Sequence, residues 1–216
     1  MYLVIKYYNK KRGIILRIGI CGGSFNPIHN GHINLAMQLL RQLNLDKVIF
    51  IPANIPPHKQ NYTMVDREIR YKLCCLACEG FDKFEVSDME IKTNSTNYTV
   101  DTLKEISYIY KDSELFLLLG SDMFKKVGFW RGFDEIKKMA VLCTVPRNYY
   151  ELEEILNLEK SLKECGTKTN ICKSNIFPTS STEIREKIKK GESVEKLLPV
   201  KVYNFIMNNG LYRCDF

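Results

Sequence analysis

An apolar run, two glycines and an amphipathic helix follow one another directly near the start of the chain. Residues 14–20 are apolar and rich in β-branched side chains, which is typical of a buried strand. Gly22 and Gly23 come next and predict a turn. Apolar residues then recur at helical spacing, at Ile33, Ala36, Met37 and Leu40. This order predicts the opening unit of a nucleotide-binding α/β fold.

Strands and helices alternate along the rest of the chain. Short apolar runs predict strands at 48–51, 84–86, 115–119 and 141–145, and helical spacing predicts helices at 66–78, 99–110, 180–190 and 199–210. Thr99 is the predicted N-cap of one helix. Ser180 with Glu183 fits a capping box, and Gly191 supplies the stop.

This alternation implies a parallel sheet that is covered by helices on both faces. The predicted fold class is therefore α/β, a Rossmann-like doubly wound parallel sheet with a small C-terminal helical part. Ligands of such sheets bind beyond the carboxyl ends of the strands. Residues 22–32 follow the first strand and would lie there.

The chain has 216 residues, which suits one α/β domain with a small appendage. We predict an N-terminal extension at 1–13, a nucleotide-binding α/β domain at 14–178 and a C-terminal helical subdomain at 179–216. Residues 148–174 begin with a helical pattern and continue into a polar stretch. We interpret them as a variable, mobile insertion.

Charge and hydropathy narrow the location and the partners. No stretch approaches the roughly 20 apolar residues that a membrane-spanning helix needs, and the first residues lack a signal-peptide pattern. We therefore expect a soluble cytoplasmic protein, with the nucleus as a second option and no membrane partner. The net charge of +7 fits a solvated, lysine-rich surface. Lys and Arg are scattered without an RNA-binding motif, so we expect no nucleic-acid partner.

Eight cysteines are present, and most lie inside apolar runs, as buried thiols do. Cys75 and Cys78 form a C-x-x-C on a predicted helix. No second pair has zinc-site spacing, so reduced core thiols are favoured over a metal site.

The segment that carries chemistry reads GGSFNPIHNGH, from Gly22 to His32. Its glycines allow a backbone to approach phosphates closely. His29 and His32 share one face of a helix near its positive end, and together with backbone N–H groups they favour a polyanion. No acidic residue precedes Asp46, so such a ligand would meet no repulsion from this segment. A purely structural role for each histidine is the alternative, but two of only three histidines lie in this turn.

The segment resembles the signature of the nucleotidyltransferase superfamily that shares an H-x-G-H motif. Other segments narrow the resemblance to the bacterial-type nicotinate mononucleotide adenylyltransferases. They are PPHK at 56–59, NYTVDTL at 97–103, GSD at 120–122, Trp130, SSTEIR at 180–185 and the ending from Leu198 to Tyr212. The chain departs from the family pattern at Pro146-Arg147-Asn148, at Pro178-Thr179 and over 148–174.

The resemblance implies transfer of the adenylyl group of ATP to nicotinate mononucleotide, giving nicotinate adenine dinucleotide and pyrophosphate in NAD biosynthesis. It implies direct in-line attack without a covalent intermediate. Mg²⁺ is the implied cofactor, held mainly by phosphates and water rather than by protein ligands. ATP and nicotinate mononucleotide are the implied partners, and a homo-oligomer is left open.

Site residues follow from the same resemblance. The implied catalytic residues are His29, His32 and Arg185. The implied ATP-binding residues are Gly22, Gly23, Ser24, Phe25, Gly120, Asp122, Ser180 and Ser181. The implied mononucleotide-binding residues are Asn54, His58, Lys59, Tyr98, Thr99 and Trp130. Nicotinate is preferred to nicotinamide if N–H groups near Thr99 hold a carboxylate while Trp130 stacks on the pyridine ring.

The proposed chemistry needs cations and N–H groups rather than acids and bases. The second pKa of a phosphate monoester lies near ~6, so the attacking oxygen is already ionised at neutral pH. What remains is to align two polyanions and to neutralise charge at the reacting phosphorus.

Four other functions are compatible with parts of the chain. Phosphopantetheine adenylyltransferases and cytidylyltransferases share the H-x-G-H motif but lack the YTVDTL segment and the ending that here reads Gly210-Leu211-Tyr212. A class I tRNA synthetase would need a KMSKS-like loop and an anticodon domain, and neither is present. A catalytically silent, basic nucleic-acid-binding protein is disfavoured because both histidines and Arg185 are retained.

Overall fold

The computed structural model describes residues 15–54, 64–93, 96–173 and 178–213. Within these ranges six strands are present: β1 (Arg17–Gly23), β2 (Lys47–Pro52), β3 (Phe84–Val86), β4 (Glu114–Gly120), β5 (Ala140–Val145) and β6 (Thr169–Ile171). They form one sheet in the order β3-β2-β1-β4-β5-β6, and every neighbouring pair is parallel. The predicted doubly wound parallel sheet is confirmed.

The strands are connected and followed by helices on both faces. These are α1 (Asn30–Gln42), α2 (Arg67–Cys78), α3 (Thr99–Ile109), α4 (Ser121–Phe124), α5 (Phe133–Met139), α6 (Tyr149–Glu164), α7 (Ser181–Lys189) and α8 (Val200–Asn208). Short 3₁₀ turns lie at Val127–Phe129 and Glu195–Leu197. None of the helices in these ranges has the length and apolar character needed to cross a bilayer.

The central strands are apolar on both sides because helices cover both faces. All six residues of β2 and five of the seven in β4 are buried. One core packs α1, α2, α7 and α8 against the sheet, around residues such as Leu39, Leu73 and Ile206. The other packs α3, α5 and α6 around residues such as Leu103, Ile136 and Ile155. The division of the chain at residue 178 stays a prediction.

Helix ends follow the local chemistry of their caps. Ser180 caps α7 by accepting a hydrogen bond from the backbone N–H of Glu183, as predicted, and Gly191 follows that helix with φ +72°. The prediction that Thr99 caps α3 is wrong by one residue. Tyr98 is the N-cap, because its backbone is still extended, and its side chain makes no cap hydrogen bond.

The predicted glycine turn begins later than expected. Gly22 and Gly23 continue β1 and pair with Ile51 and Pro52, because β2 is long enough to keep the ladder going. The turn follows at Asn26-Pro27, and Phe25 before it has a positive φ of 44° with its ring fully buried. The glycines therefore form the end of the strand itself.

The polar stretch within 148–174 forms a strand and not a loop, while the interpretation of the segment as a variable, mobile insertion stays a prediction. Asn148 caps α6, a 16-residue helix, and the polar stretch after it forms β6. The sequence pattern missed this strand because an edge strand of three half-buried residues needs no apolar run. Backbone N–H groups of Leu142 and Cys172 bind the carbonyls of Lys168 and Thr144 and hold the strand in place.

Candidate active site

The order of the strands reverses between β1 and β4: β2 and β3 are added on one side of β1, and β4, β5 and β6 on the other. Both β1 and β4 end in glycine. A methyl group built on Gly22 or on Gly120 would meet no atom of the described residues within 4 Å. Two neighbouring strand ends therefore border open space at the switch point of the sheet, where doubly wound folds bind their ligands. The predicted ATP residues Gly22, Gly23 and Gly120 lie at this edge.

The loop after β1 is held by residues from the far end of the chain. The carbonyl of Asn26 accepts a hydrogen bond from Arg185 Nη1 at 2.8 Å, and its side-chain Oδ1 accepts from the Tyr212 hydroxyl at 3.0 Å. The hydroxyl of Ser181 donates to the carbonyl of Pro27 at 2.9 Å. The loop and the SSTEIR helix therefore form one structural unit.

A buried arginine supports the same loop from below. Arg70 is only 1% exposed, and its guanidinium donates to the backbone carbonyls of Ser24, Ala53, Asn54 and Val65 at 2.6–3.0 Å. It joins the segments that follow β1 and β2. Sequence patterns did not single out Arg70, because an arginine on an amphipathic helix is usually exposed.

His29 and His32 lie against each other at the start of α1. Their ring centroids are 3.7 Å apart, and the backbone N–H of His29 donates to Nδ1 of His32 at 3.2 Å. Because Nδ1 accepts this bond, a neutral His32 carries its proton on Nε2. His32 can therefore offer an N–H to a ligand.

His29 is more enclosed than its partner. It is 5% exposed, and its Nδ1 has no hydrogen-bond partner among the described residues. Burial lowers its pKa far below the usual range, and the charges of His32 and Arg147 add to this effect. A methyl group on Gly31 would come within 3.0 Å of the His29 ring and 3.2 Å of Thr179. The glycine of the H-x-G-H motif thus leaves room for the neutral imidazole.

Arg147 is a site residue that the sequence analysis did not select. Its guanidinium forms an ion pair with Asp122 at 2.7 Å, which links the segments that follow β4 and β5. Its backbone N–H donates to Glu151 at 2.6 Å, and its charge reaches His29. The signal was present in Pro146-Arg147-Asn148, which we noted only as a departure from the family pattern.

The two serines of the SSTEIR segment use their hydroxyls inside the protein. Ser180 caps α7, and Ser181 binds Pro27. Arg185 is 9% exposed and also donates to the Thr182 hydroxyl at 3.2 Å. Ser181 and Arg185 thus contact the Asn26-Pro27 loop that precedes His29, and their predicted roles in binding ATP stay predictions.

The predicted mononucleotide residues lie around the start of α3 and the end of β2. Asn54 is 7% exposed, and its side chain donates to the carbonyl of Thr93 at 2.6 Å while accepting from Arg67 at 3.2 Å. Tyr98 and Trp130 are partly buried against the second core, and Thr99 begins α3. His58 and Lys59 lie outside the described residues, so their predicted roles stay predictions.

A buried carboxyl group next to α3 should make the stability of the protein depend on pH. Glu90 is 9% exposed and accepts a hydrogen bond from Thr102 at 2.6 Å. Burial raises its pKa from 4.5 to about 6, and the charge of Glu105 adds to the shift. The folded protein therefore retains a proton that the unfolded chain loses, so this group makes stability fall as pH rises from 4.5 to about 6.

Glu90→Gln should remove this penalty, since the amide keeps an oxygen acceptor for Thr102. We expect the variant to be more stable than the parent by about 1–2 kcal/mol at about pH 8 and to lose the advantage near about pH 4.5. Urea unfolding at both pH values measures the difference. Glu186→Gln, at an exposed position of α7, is the control. An equal gain at both pH values would contradict the prediction.

Comparisons with known proteins agree with this arrangement. Residues 20–187 match the family described as cytidylyltransferase-like. The chain is 40% identical over 195 residues to a probable nicotinate-nucleotide adenylyltransferase of Clostridium tetani, covering 90% of this chain and 98% of that protein. A protein of the same description from Clostridium novyi is 37% identical over 196 residues, with the same coverage.

Solved structures share the fold at lower identity. The nicotinic acid mononucleotide adenylyltransferase of Plasmodium falciparum, complexed with NaAD, aligns with a TM-score of 0.74 at 17% identity. The alignment covers 91% of this chain and 97% of that one. The same protein complexed with APC aligns with a TM-score of 0.73 and the same identity and coverage.

Proposed function

The chain belongs to the cytidylyltransferase-like family and, within it, to the nicotinate-nucleotide adenylyltransferases, and on that premise we propose that it transfers the adenylyl group of ATP to nicotinate mononucleotide. The products are nicotinate adenine dinucleotide and pyrophosphate, which makes the protein a nucleotidyltransferase of NAD biosynthesis. The relatives named for this activity are matched over nearly their whole length.

One observation carries the proposal. The paired imidazoles of His29 and His32 lie at the start of α1, directly after the loop that follows β1, with the ring centroid of His32 5.0 Å from that of Phe25 and the guanidinium of Arg147 within electrostatic reach of His29. Positive and N–H-bearing groups converge there, and such groups stabilise charge on a phosphorus in transfer. Burial lowers the pKa of His29, so its imidazole is neutral at neutral pH and serves as a donor rather than as a base.

The reaction needs one bond to form and one to break. An oxygen of the mononucleotide phosphate attacks the α-phosphorus of ATP, and the bond from that phosphorus to the bridging oxygen of pyrophosphate breaks. The attacking oxygen is already ionised, so no side chain has to remove a proton. His32 donates its Nε2 proton to a phosphate oxygen as a hydrogen bond, and the positive end of α1 adds to this stabilisation.

We assign the remaining roles by position. The adenylate lies against Gly22, Gly23, Ser24, Phe25 and Gly120. Asp122 accepts hydrogen bonds from the ribose hydroxyls. Arg147, Arg185 and the start of α7 bind the polyphosphate. Residues proposed for the mononucleotide are Asn54, His58, Lys59, Tyr98, Thr99 and Trp130.

Mg²⁺ enters this proposal with the ATP. Within the described ranges no three His, Cys, Asp or Glu side chains are arranged to hold a metal. We propose that the ion is bound mainly by substrate phosphates and water, with Asp122 as the carboxylate at this edge. When bound, the ion neutralises charge on the leaving pyrophosphate.

Purified protein supplied with ATP, Mg²⁺ and nicotinate mononucleotide should release pyrophosphate and form the deamido dinucleotide in equal amounts. A coupled pyrophosphate assay and chromatography of the product measure the two. Nicotinamide mononucleotide, run in parallel, gives the base preference. If neither mononucleotide led to release of pyrophosphate, the result would contradict the proposal.

Gly22→Ala tests whether the open strand end holds the nucleotide. The methyl group meets no described atom, and alanine restricts the unfolded chain, so stability should stay equal or rise by up to about 1 kcal/mol. The KM for ATP should rise about tenfold because the methyl group occupies ligand space.

Gly19→Ala is the matched control on the same strand. Its methyl group would lie 2.9–3.1 Å from Leu45, Val48 and Leu118, so it should destabilise the fold by about 1–3 kcal/mol. Its folded fraction should keep the KM of the parent. An unchanged KM for ATP in Gly22→Ala would remove this strand end from the binding site.

A further inference from the structure

A tight turn brings residues 130–132 against the beginning of α3. Gly132 has φ +74°, and a methyl group there would come within 2.9–3.0 Å of the Val100 side chain. The turn therefore packs directly on the first turn of α3, and only glycine permits this approach. Trp130 and Arg131 directly precede Gly132 and therefore also lie near the start of α3.

Arg131 lies over an aromatic ring at this position. Its guanidinium carbon is 4.4 Å from the ring centroid of Tyr98, the N-cap of α3. The nearby acids Asp134 and Glu135 are paired with Lys137 and Lys104. Within the described ranges Arg131 forms no ion pair of its own, so the stacked cation keeps its donors for another partner.

The surroundings of Arg131 add positive potential and flat apolar surface. No side chain caps the N–H groups at the start of α3, an 11-residue helix whose positive end lies here. Trp130 and Tyr98 are partly buried against the same core, and the indole Nε1 of Trp130 is enclosed without a partner among the described residues. The exposed guanidinium of Arg131, stacked on Tyr98 beside the start of α3, matches the charge of an aromatic ring that bears an anionic group.

We propose that the guanidinium of Arg131 binds the ring carboxylate of the acceptor nucleotide and so determines the preference for a pyridine carboxylate over its carboxamide. This inference rests on the proposed function and deepens it. A carboxylate accepts two parallel hydrogen bonds from a guanidinium fork. A carboxamide offers one oxygen, and its NH₂ group meets the donors of the arginine unfavourably. The charge therefore favours one acceptor and not the other.

The test compares two acceptors on one set of variants. Arg131→Gln should lower kcat/KM for nicotinate mononucleotide about tenfold and leave kcat/KM for nicotinamide mononucleotide unchanged. Arg131→Lys keeps the charge without the fork, so it should retain part of the preference. Calorimetric binding of each mononucleotide without ATP should show the same pattern.

Arg41→Gln is the matched control, because it removes the same charge at an exposed position in the last turn of α1. It should leave the ratio of the two kcat/KM values unchanged. If Arg131→Gln changed both acceptors equally, or neither, the assignment of Arg131 would be overturned while the proposed function stood. If the parent protein turned over neither mononucleotide, the proposed function itself would fall, and the role of Arg131 with it.

Discussion

Replacing His32 by alanine should lower kcat about a thousandfold while the protein stays folded. The Nδ1 of the imidazole is bonded to the backbone N–H of His29, so the fold fixes the orientation of the ring and of its Nε2 N–H. Removal of one such preorganised donor typically costs about 10²- to 10³-fold in kcat. His29 loses the ring that packs against it at the same time, so we expect the fall in kcat to lie at the upper end of this range.

The stability of the His32→Ala variant should fall only slightly. The backbone N–H of His29 loses one acceptor, which costs about 1 kcal/mol, and His32 is not part of the buried core. Single-turnover kinetics and thermal unfolding, measured on the same preparation, separate the two quantities. His32→Gln supplies an amide donor at a similar reach and should restore a fraction of the lost rate. Full activity in His32→Ala would exclude the histidine from the mechanism.

Replacing Arg147 by glutamine should lower kcat/KM for ATP about hundredfold. In the structure its guanidinium is paired with Asp122, yet its charge also reaches His29. A ligand with several negative charges offers the arginine a stronger partner than one carboxylate. Binding of ATP should therefore move Arg147 from Asp122 to the polyphosphate and leave Asp122 for the ribose.

A double-mutant cycle with Asp122→Asn distinguishes this exchange from a purely structural ion pair. If Arg147 only held Asp122 in place, each single variant and the double variant would lose the same activity. If Arg147 binds phosphate, Arg147→Gln should lose clearly more than Asp122→Asn, and its kcat/KM should depend less steeply on salt. Lys125→Gln, which removes a charge paired with Glu151 and Glu154, controls for general electrostatics. Equal losses in both single variants would contradict phosphate binding by Arg147.

The sheet and most of its helices could be predicted from the sequence because buried parallel strands require continuous apolar runs. β2, β4 and β5 carry such runs, and each was located within one residue at either end. β6 could not be located in this way. Its three residues are half-buried at the edge of the sheet, and its identity depends on hydrogen bonds to β5 rather than on its own pattern.

The site was predictable where the chemistry lies in a contiguous motif and unpredictable where it depends on folding partners. His29 and His32 stand three residues apart, so their proximity follows from helical geometry. Arg70 and Arg147 become visible only when the chain is folded. One is enclosed by four backbone carbonyls, and the other is turned towards Asp122. No local pattern distinguishes such arginines from the solvated ones.

The bond from Tyr212 to Asn26 spans 186 positions, and it has a consequence for synthesis on the ribosome. A nascent chain carries both histidines early, but the loop before them gains the supports from Arg185 and Tyr212 only after a further 159 and 186 residues, counted from Asn26, have been added. Polypeptides that stop before residue 212 would thus carry the H-x-G-H motif without the hydrogen bond from Tyr212 to Asn26. Truncated products of this kind should sequester little ATP, so unfinished copies would not compete with finished ones.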